Sequence, residues 1–425
     1  MTLLVFIGSL LGAMAIGVPV AFSLMFCGVV LMWYMGMFNT AIIAQNMISG
    51  ADTFTLLAIP FFILAGELMN SGGLSRRIID FAIALVGHIR GGLGIVAIVA
   101  AIIMASISGS AAADTAALAA ILIPMMAKAG YNVPRSAGLI ASGGIIAPVI
   151  PPSMAFIVFG VAANVSITQL FMAGIVPGLL MGLSLVATWL FVVRKDNITP
   201  LPRTTAKQRL QATARAGWAL GMPVIILGGI KAGIMTPTEA AVVAAAYALF
   251  VGMVVYRELK PSELPHVLLR AAKSTSIIMF LVCAALVSAW LITAANIPNE
   301  VVGYIEPLID RPMLLMFAIM VLILIVGTAL DLTPTILILT PVLMPIIKQA
   351  GIDPVYFGVL FIMNTCIGLI TPPVGVVLNV VSGVGRVPLG RVTAGVLPFL
   401  LTQVAVLFLL VIFPDIVLVP LQYLR

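Results

Sequence analysis

Two polar stretches interrupt apolar sequence with groups that can bind ions. Ser106-Ile107-Ser108-Gly109-Ser110, then Ala111-Ala112-Ala113-Asp114-Thr115, supplies hydroxyls, a glycine and a carboxylate. Gly327-Thr328-Ala329-Leu330-Asp331-Leu332-Thr333-Pro334-Thr335 supplies the same kinds of group in the other half. In each, a proline follows the aspartate at the same spacing, Pro124 after Asp114 and Pro341 after Asp331. A Gly/Pro break lies further on, Gly143-Gly144-Ile145-Ile146-Ala147-Pro148-Val149-Ile150-Pro151-Pro152-Ser153 and Gly368-Leu369-Ile370-Thr371-Pro372-Pro373-Val374-Gly375.

Where a hairpin reverses or a helix unwinds, carbonyls lose their helical partners and helix N-termini present free N–H groups. The carbonyls and hydroxyls suit a hard cation such as Na⁺, and the N-termini suit an anionic group. The first half sets Ser106, Ser108, Gly109 and Ser110 opposite Ser142, Gly143, Gly144, Ala147 and Pro148. The second sets Gly327, Thr328, Thr333 and Thr335 opposite Asn364, Gly368, Thr371 and Pro372. The expectation is one Na⁺ site in each half, with Na⁺ the only metal and no cofactor. Substrate then sits between the tips, at Ser108, Ser110, Asp114, Ser153, Asp331, Thr335 and Thr371. Asp114 and Asp331 are costly at membrane depth, which favours a functional reading; each can equally cap the second arm of its hairpin. The small residues Ala111 to Ala113 and Ala116-Ala117 read as close-packing positions.

The elements that carry these groups are membrane spans. Of 425 residues, 62% are hydrophobic and 8% charged, with mean hydropathy +1.26, against about 25% charged in soluble domains. A span takes roughly 20 residues, and about ten crossings fit beside the hairpins. The net charge of +7 is a topology signal and implies no nucleic-acid partner.

In order, Thr2 to Gly17 and Pro19 to Tyr34 read as spans, Ala41 to Ser49 as a short interfacial helix and Leu56 to Asn70 as a third span. The N-terminus lacks a basic n-region and a cleavage site, so the first span is expected to be retained. Leu74 to Arg90 is amphipathic, with Ile78, Ile79, Ala82, Ile83 and Val86 opposite Arg76, Arg77 and Asp80, as in a helix lying in the interface. Leu93 to Ala105 and Ala116 to Ala127 form a re-entrant hairpin. Ser136 to Phe159 is a broken span, and Leu170 to Val193 returns to a basic loop, Arg194 to Arg215. Trp218 to Ile230 and Ala240 to Val255 form a hairpin around a capping box, with Thr236 as N-cap, Pro237 at N1 and Glu239 at N3. After a second basic stretch, Arg257 to Lys273, the pattern repeats: span Ser276 to Ile292, amphipathic Val301 to Ile309, hairpin Met313 to Ile347, broken span Tyr356 to Val381 and last span Val396 to Val417. This divides the chain into scaffold spans (1–50), a first repeat (51–193), a basic loop with scaffold hairpin (194–256) and a second repeat (257–425).

This segmentation puts all 21 Lys and Arg residues on one face except Lys231, Arg311, Lys348 and Arg425. The positive-inside rule makes the basic face cytoplasmic. The hairpins then enter from opposite sides, which makes the halves an inverted repeat with both termini periplasmic. No phosphate-binding Gly-Lys-Ser/Thr loop occurs, which argues against ATP hydrolysis, and no nucleophile–base pair is supported by spacing, so an enzyme is not expected. Cys27, Cys283 and Cys366 read as small core residues. Glu67 reads as near-interface, and His88 and His266, beside basic stretches, read as solvated.

Ser-Gly-Ser-Ala-Ala-Ala-Asp-Thr (108–115), Ala-Ser-Gly-Gly-Ile-Ile-Ala-Pro-Val-Ile-Pro-Pro-Ser (141–153), Thr-Pro-Thr-Glu-Ala (236–240), Asp-Leu-Thr-Pro-Thr-Ile-Leu-Ile-Leu-Thr-Pro (331–341) and Gly-Leu-Ile-Thr-Pro-Pro-Val-Gly (368–375) resemble the large membrane subunit of TRAP (tripartite ATP-independent periplasmic) transporters. The resemblance spans nearly the whole chain. It implies an all-α polytopic fold of the ion-transporter superfamily, with a scaffold and a transport domain moving as an elevator in the bacterial inner membrane. It implies a small four-helix membrane subunit as a separate chain, and a periplasmic substrate-binding protein. Na⁺ sites at both tips and both broken helices follow from it, mapping onto the residues above. The implied cargo is an organic acid, sialic acid or another sugar acid first and a C4-dicarboxylate second. A stand-alone Na⁺/dicarboxylate carrier of the same superfamily, needing no binding protein, is the alternative.

Overall fold

Backbone amides surrounded by apolar groups must pair within their own segment, and nearly every described segment here does so as helix. The structure, a computed structural model, describes residues 1–196, 198–297, 300, 303 and 308–424. Helices α1 (Thr2–Ala15), α2 (Val20–Tyr34) and α3 (Thr40–Ala51) lead to α4 (Ala58–Ser71). The arm helix α5 (Leu74–Val86) precedes a hairpin of α6 (Gly92–Ser108) and α7 (Ala111–Lys128). A broken helix follows, α8 (Val133–Gly144) and α9 (Met154–Ala163), and then α10 (Ile167–Val192). After α11 (Ala206–Lys231), α12 (Pro237–Phe250) and α13 (Leu264–Ala294), the motif recurs. The second hairpin is α14 (Pro312–Gly327) and α15 (Leu332–Gln349), and the second broken helix is α16 (Pro354–Gly368) and α17 (Val376–Gly385). Helices α18 (Leu389–Ile412) and α19 (Asp415–Leu424) close the chain.

Caps set many of these boundaries. Asn132, Ser153 and Ser166 accept backbone N–H bonds from Arg135, Phe156 and Gln169. The capping box at Thr236 is present: Glu239 N–H donates to Thr236 Oγ1 and Thr236 N–H donates to Glu239 Oε2.

The expected basic loop Arg194 to Arg215 and the basic stretch Arg257 to Lys273 both run into helices. Arg194 to Arg215 enters α11 at Ala206, behind a second capping box formed by Thr205 and Gln208. Arg257 to Lys273 enters α13 at Leu264. Charge marks exposure to water, and an exposed helical end satisfies it as well as a loop does. At 31 residues, α13 runs about 46 Å, longer than the hydrocarbon layer, so its polar start extends beyond it. Eight helices among the described residues are long and apolar enough to cross a membrane. Two of these are α7 and α15, the second hairpin arms, while the broken helices are too short to qualify. The expected amphipathic arm Val301 to Ile309 lies largely outside the described residues.

The halves interlock. Helix α7 packs on α17, α8 on α18 and α9 on α15. At Gly138 and Gly395 the α8 and α18 backbones touch: a Cβ on Gly138 would lie 2.5 Å from Gly395 C, the close approach that small residues permit in membranes. Phe159 of α9 meets Phe357 and Phe361 of α16 at ring-centroid distances of 6.2 and 5.7 Å. On α5, Leu74, Ile78, Ile79 and Ala82 are buried while Arg76 and Asp80 are exposed, so the expected amphipathic face is present. Cys27, Cys283 and Cys366 are buried free thiols. Glu67 accepts an ion-paired bond from Arg270 at 2.9 Å. His266 is exposed, whereas His88 is half-buried with Nδ1 enclosed and unpartnered.

Candidate functional site

The first tip is a two-residue turn. Gly109 adopts φ +61, and a Cβ there would stand 3.0 Å from Pro152 O, so both backbone conformation and contact with the broken helix favour glycine. Ser110 caps α7, accepting from Ala113 N–H. Ser108 Oγ donates to Asp114 Oδ1 at 2.5 Å and accepts from Ser110 N–H at 3.2 Å. Asp114 is 1% exposed, and its Oδ2 has no partner. Thr115 Oγ1 beside it is likewise buried and unpartnered. Gly144 presses against Thr115, since a Cβ there would lie 1.7 Å from Thr115 Oγ1. Other hydroxyls fold back onto their own segments: Ser106 to Ile103 O, Ser142 to Gly138 O and Ser153 to Pro148 O. Gly143 packs on Ala101, and Ala147 and Pro148 lie buried in the break, which ends in a cis Pro151-Pro152 bond.

The second tip is built differently. Asp331 is the N-cap of α15, accepting Leu332 N–H at 2.8 Å, and it is exposed. Thr328 donates to Ile325 O, Thr335 to Asp331 O and Thr371 to Ile367 O. Gly327 and Gly368 touch through their backbones, a Cβ on Gly368 meeting Gly327 O at 2.5 Å. Asn364, fully buried, donates to Met320 O at 2.6 Å and leaves Oδ1 unpartnered. Pro372 begins the cis Pro372-Pro373 bond.

Between the tips lies a cavity of about 170 Å³. Gly109, Ser110, Pro148, Asp331, Thr333 and Ile278 line it. So do the first residues of four helices, Ala111 and Ala112, Met154 and Ala155, Leu332 and Thr333, and Val376 and Val377. No Lys, Arg or His is in its lining. The starts of four helices therefore border one small space, which gives it partial positive charge beside the Asp331 carboxylate. Of the expected substrate residues, Ser110 and Asp331 stand on its wall. Ser108, Asp114, Ser153 and Thr335 are buried outside the lining, and Thr371 is half-buried outside it.

The orphaned oxygens fit a hard cation, which takes carboxylate, hydroxyl and carbonyl ligands. Asp114 Oδ2, Thr115 Oγ1 and Asn364 Oδ1 are such oxygens, one pair in the first half and one amide in the second. Sequence reading placed Asp114 with substrate and passed over Thr115. A hydroxyl directly after a buried carboxylate was the available signal.

The model of the Tripartite ATP-independent periplasmic transporter, DctM component, family matches residues 7–416. The chain belongs to this family. Among TRAP large permeases, it is 55% identical over 425 residues, all of both chains, to the 2,3-diketo-L-gulonate TRAP transporter large permease protein YiaN of Escherichia coli (strain K12). It is 40% identical over 405 residues, 95% of each chain, to the sialic acid TRAP transporter large permease protein SiaM of Vibrio cholerae. It is 41% identical over 372 residues, 88% of this chain and 87% of the relative, to the C4-dicarboxylate TRAP transporter large permease protein DctM of Pseudomonas aeruginosa. The fold is shared with the YdaH transporter of Alcanivorax borkumensis, described as having an unusual topology, at TM-score 0.60 and 15% identity over 87% of this chain and 86% of that one. As a TRAP large permease, the chain is a multi-span membrane transport protein.

Proposed function

We propose that this TRAP permease imports an organic acid driven by Na⁺, together with a separate small membrane subunit and a periplasmic binding protein. The observation that carries the reading is the convergence of four helix N-termini on a cavity without a cationic side chain. Such a site holds a carboxylate by backbone N–H groups and partial charges, and leaves full charge compensation to bound cations. Na⁺ at the Ser108–Asp114–Thr115 cluster and near Asn364 would supply that compensation and order both tips. Ser110, Asp331 and Thr333 offer hydrogen bonds to substrate hydroxyls.

A sugar acid comes first as cargo, because the relative identical at 55% over its full length is named for 2,3-diketo-L-gulonate. Transport follows an elevator path, the tips and broken helices moving against α1, α2, α11 and α12. The basic face is cytoplasmic and both termini periplasmic in the inner membrane. Each net charge moved inward gains about 2.3 kcal/mol per 100 mV.

The test is uptake of labelled diketogulonate, sialic acid and a C4-dicarboxylate into proteoliposomes containing this chain and its small subunit. Uptake that needs both a Na⁺ gradient and the binding protein supports the proposal. Uptake indifferent to Na⁺ overturns the coupling, and Na⁺-driven uptake without a binding protein favours a stand-alone carrier.

A further inference from the structure

Two adjoining cavities lie away from the tips, where the arm helix meets α11 and the segment that follows α12. One, of about 340 Å³, is lined by Arg76, Arg77, Asp80, Arg215, Tyr256 and Glu258, with Val255. The other, of about 260 Å³, shares Arg77, Asp80 and Arg215. Arg77 is already committed: it pairs with Glu258 at 2.8 Å and lies 3.8 Å over the Tyr256 ring. Arg76 and Arg215 are exposed and form no ion pair among the described residues, nor does Asp80. The uncommitted groups therefore carry a net positive charge, beside a contact in which Tyr256 donates its hydroxyl to Arg215 O at 2.7 Å.

An apolar strip runs away from this charge. Trp218 stands one turn after Arg215 on the same face of α11; it is 46% exposed and meets Phe250 edge-on at 6.3 Å. Phe250 and Val254, one turn apart on the neighbouring strand of helix, are 49% and 54% exposed. Tryptophan at the end of an apolar strip, beneath arginine, is the pattern of a membrane interface.

The geometry points to a bound anionic phospholipid, its phosphate between Arg76 and Arg215 and its chains along Trp218, Phe250 and Val254. Charge complementarity chooses the headgroup and the strip chooses a lipid over a soluble phosphate. The lipid bridges the arm and the α11–α12 hairpin. The inference rests on the chain being a membrane protein and is independent of which acid it carries.

The test uses the transporter purified in detergent with its small subunit. Native mass spectrometry counts retained phosphatidylglycerol against phosphatidylcholine of the same chains, with inorganic phosphate as competitor. Phosphatidylglycerol is expected to bind preferentially, and Arg76→Gln/Arg215→Gln to weaken it about thirtyfold while phosphatidylcholine is unaffected. Arg76→Lys/Arg215→Lys retains most of the binding, and Trp218→Ser weakens both lipids. Equal retention of the two lipids, or no effect of the Gln pair, overturns the proposal. So does displacement by equimolar inorganic phosphate, which assigns the site to a soluble anion. Loss of the small subunit from the Gln pair overturns it too, because a protein then occupies the surface. Unchanged melting of the Gln pair guards against misfolding as the cause.

Discussion

The two hairpin tips carry the same chemistry in different places. Aligned by their helix starts, Ser110 and Asp331 are both N-caps, and Asp114 corresponds to Thr335 at the fourth helical position. The aspartates that match in sequence, each followed by a proline at the same spacing, are therefore one turn apart in structure. Asp114 is buried beside Ser108, and Asp331 is exposed on the cavity wall. The first break, residues 145–153, is wholly buried, while Pro372, Pro373 and Val374 in the second are exposed. A repeat thus preserves the reversal of the chain while placing the carboxylate inside, against Ser108, in one half and as a cap facing the cavity in the other.

The largest expected effect breaks that contrast if it fails. Asp114→Ala removes the buried carboxylate, and the Na⁺ concentration for half-maximal uptake should rise at least about tenfold, given the worth of a bond to a charged group. Asp331→Ala should instead raise the substrate concentration needed while leaving Na⁺ dependence nearly unchanged. Identical Na⁺ profiles for the two variants would erase the distinction.

Glycines sharpen it next. Gly144→Ala forces a Cβ into Thr115 and should cost about 1–3 kcal/mol, whereas Gly327→Ala meets its nearest atom at 3.5 Å and should cost well under that. A melting curve with a thiol-reactive dye, reading exposure of Cys27, Cys283 and Cys366, measures both.

A smaller effect concerns the caps. Ser110→Asp places a carboxylate cap on the first tip as on the second, and the two residues cap about equally well. Melting should stay within about 0.5 kcal/mol, while uptake of an acid falls because a second negative charge faces the cavity. Smallest in its effect on uptake is Thr236→Ala, which removes a capping box and should cost about 1 kcal/mol of local stability, visible as faster amide exchange at residues 237–240 with uptake retained.

Much of this was readable locally. The breaks at Gly109, Pro148 and Pro372 and the cap at Thr236 depend on residues within a turn of one another, so spacing exposes them; the cap at Ser153 is just as local but reads in sequence as a substrate residue. The start of α11 was equally local, in Thr205 and Gln208, but the run of basic residues masked it as a loop.

Sequence alone determined that the chain lives in a membrane, where it reverses and where it unwinds, because hydropathy and backbone hydrogen bonding act along the chain. Only tertiary structure decided which oxygens are left without partners, that Thr115 joins Asp114, that the aspartates differ in burial and that four helix starts share one cavity. Those facts depend on which segments of the two halves face one another, and residues 111, 154, 332 and 376 meet only when the repeats interlock.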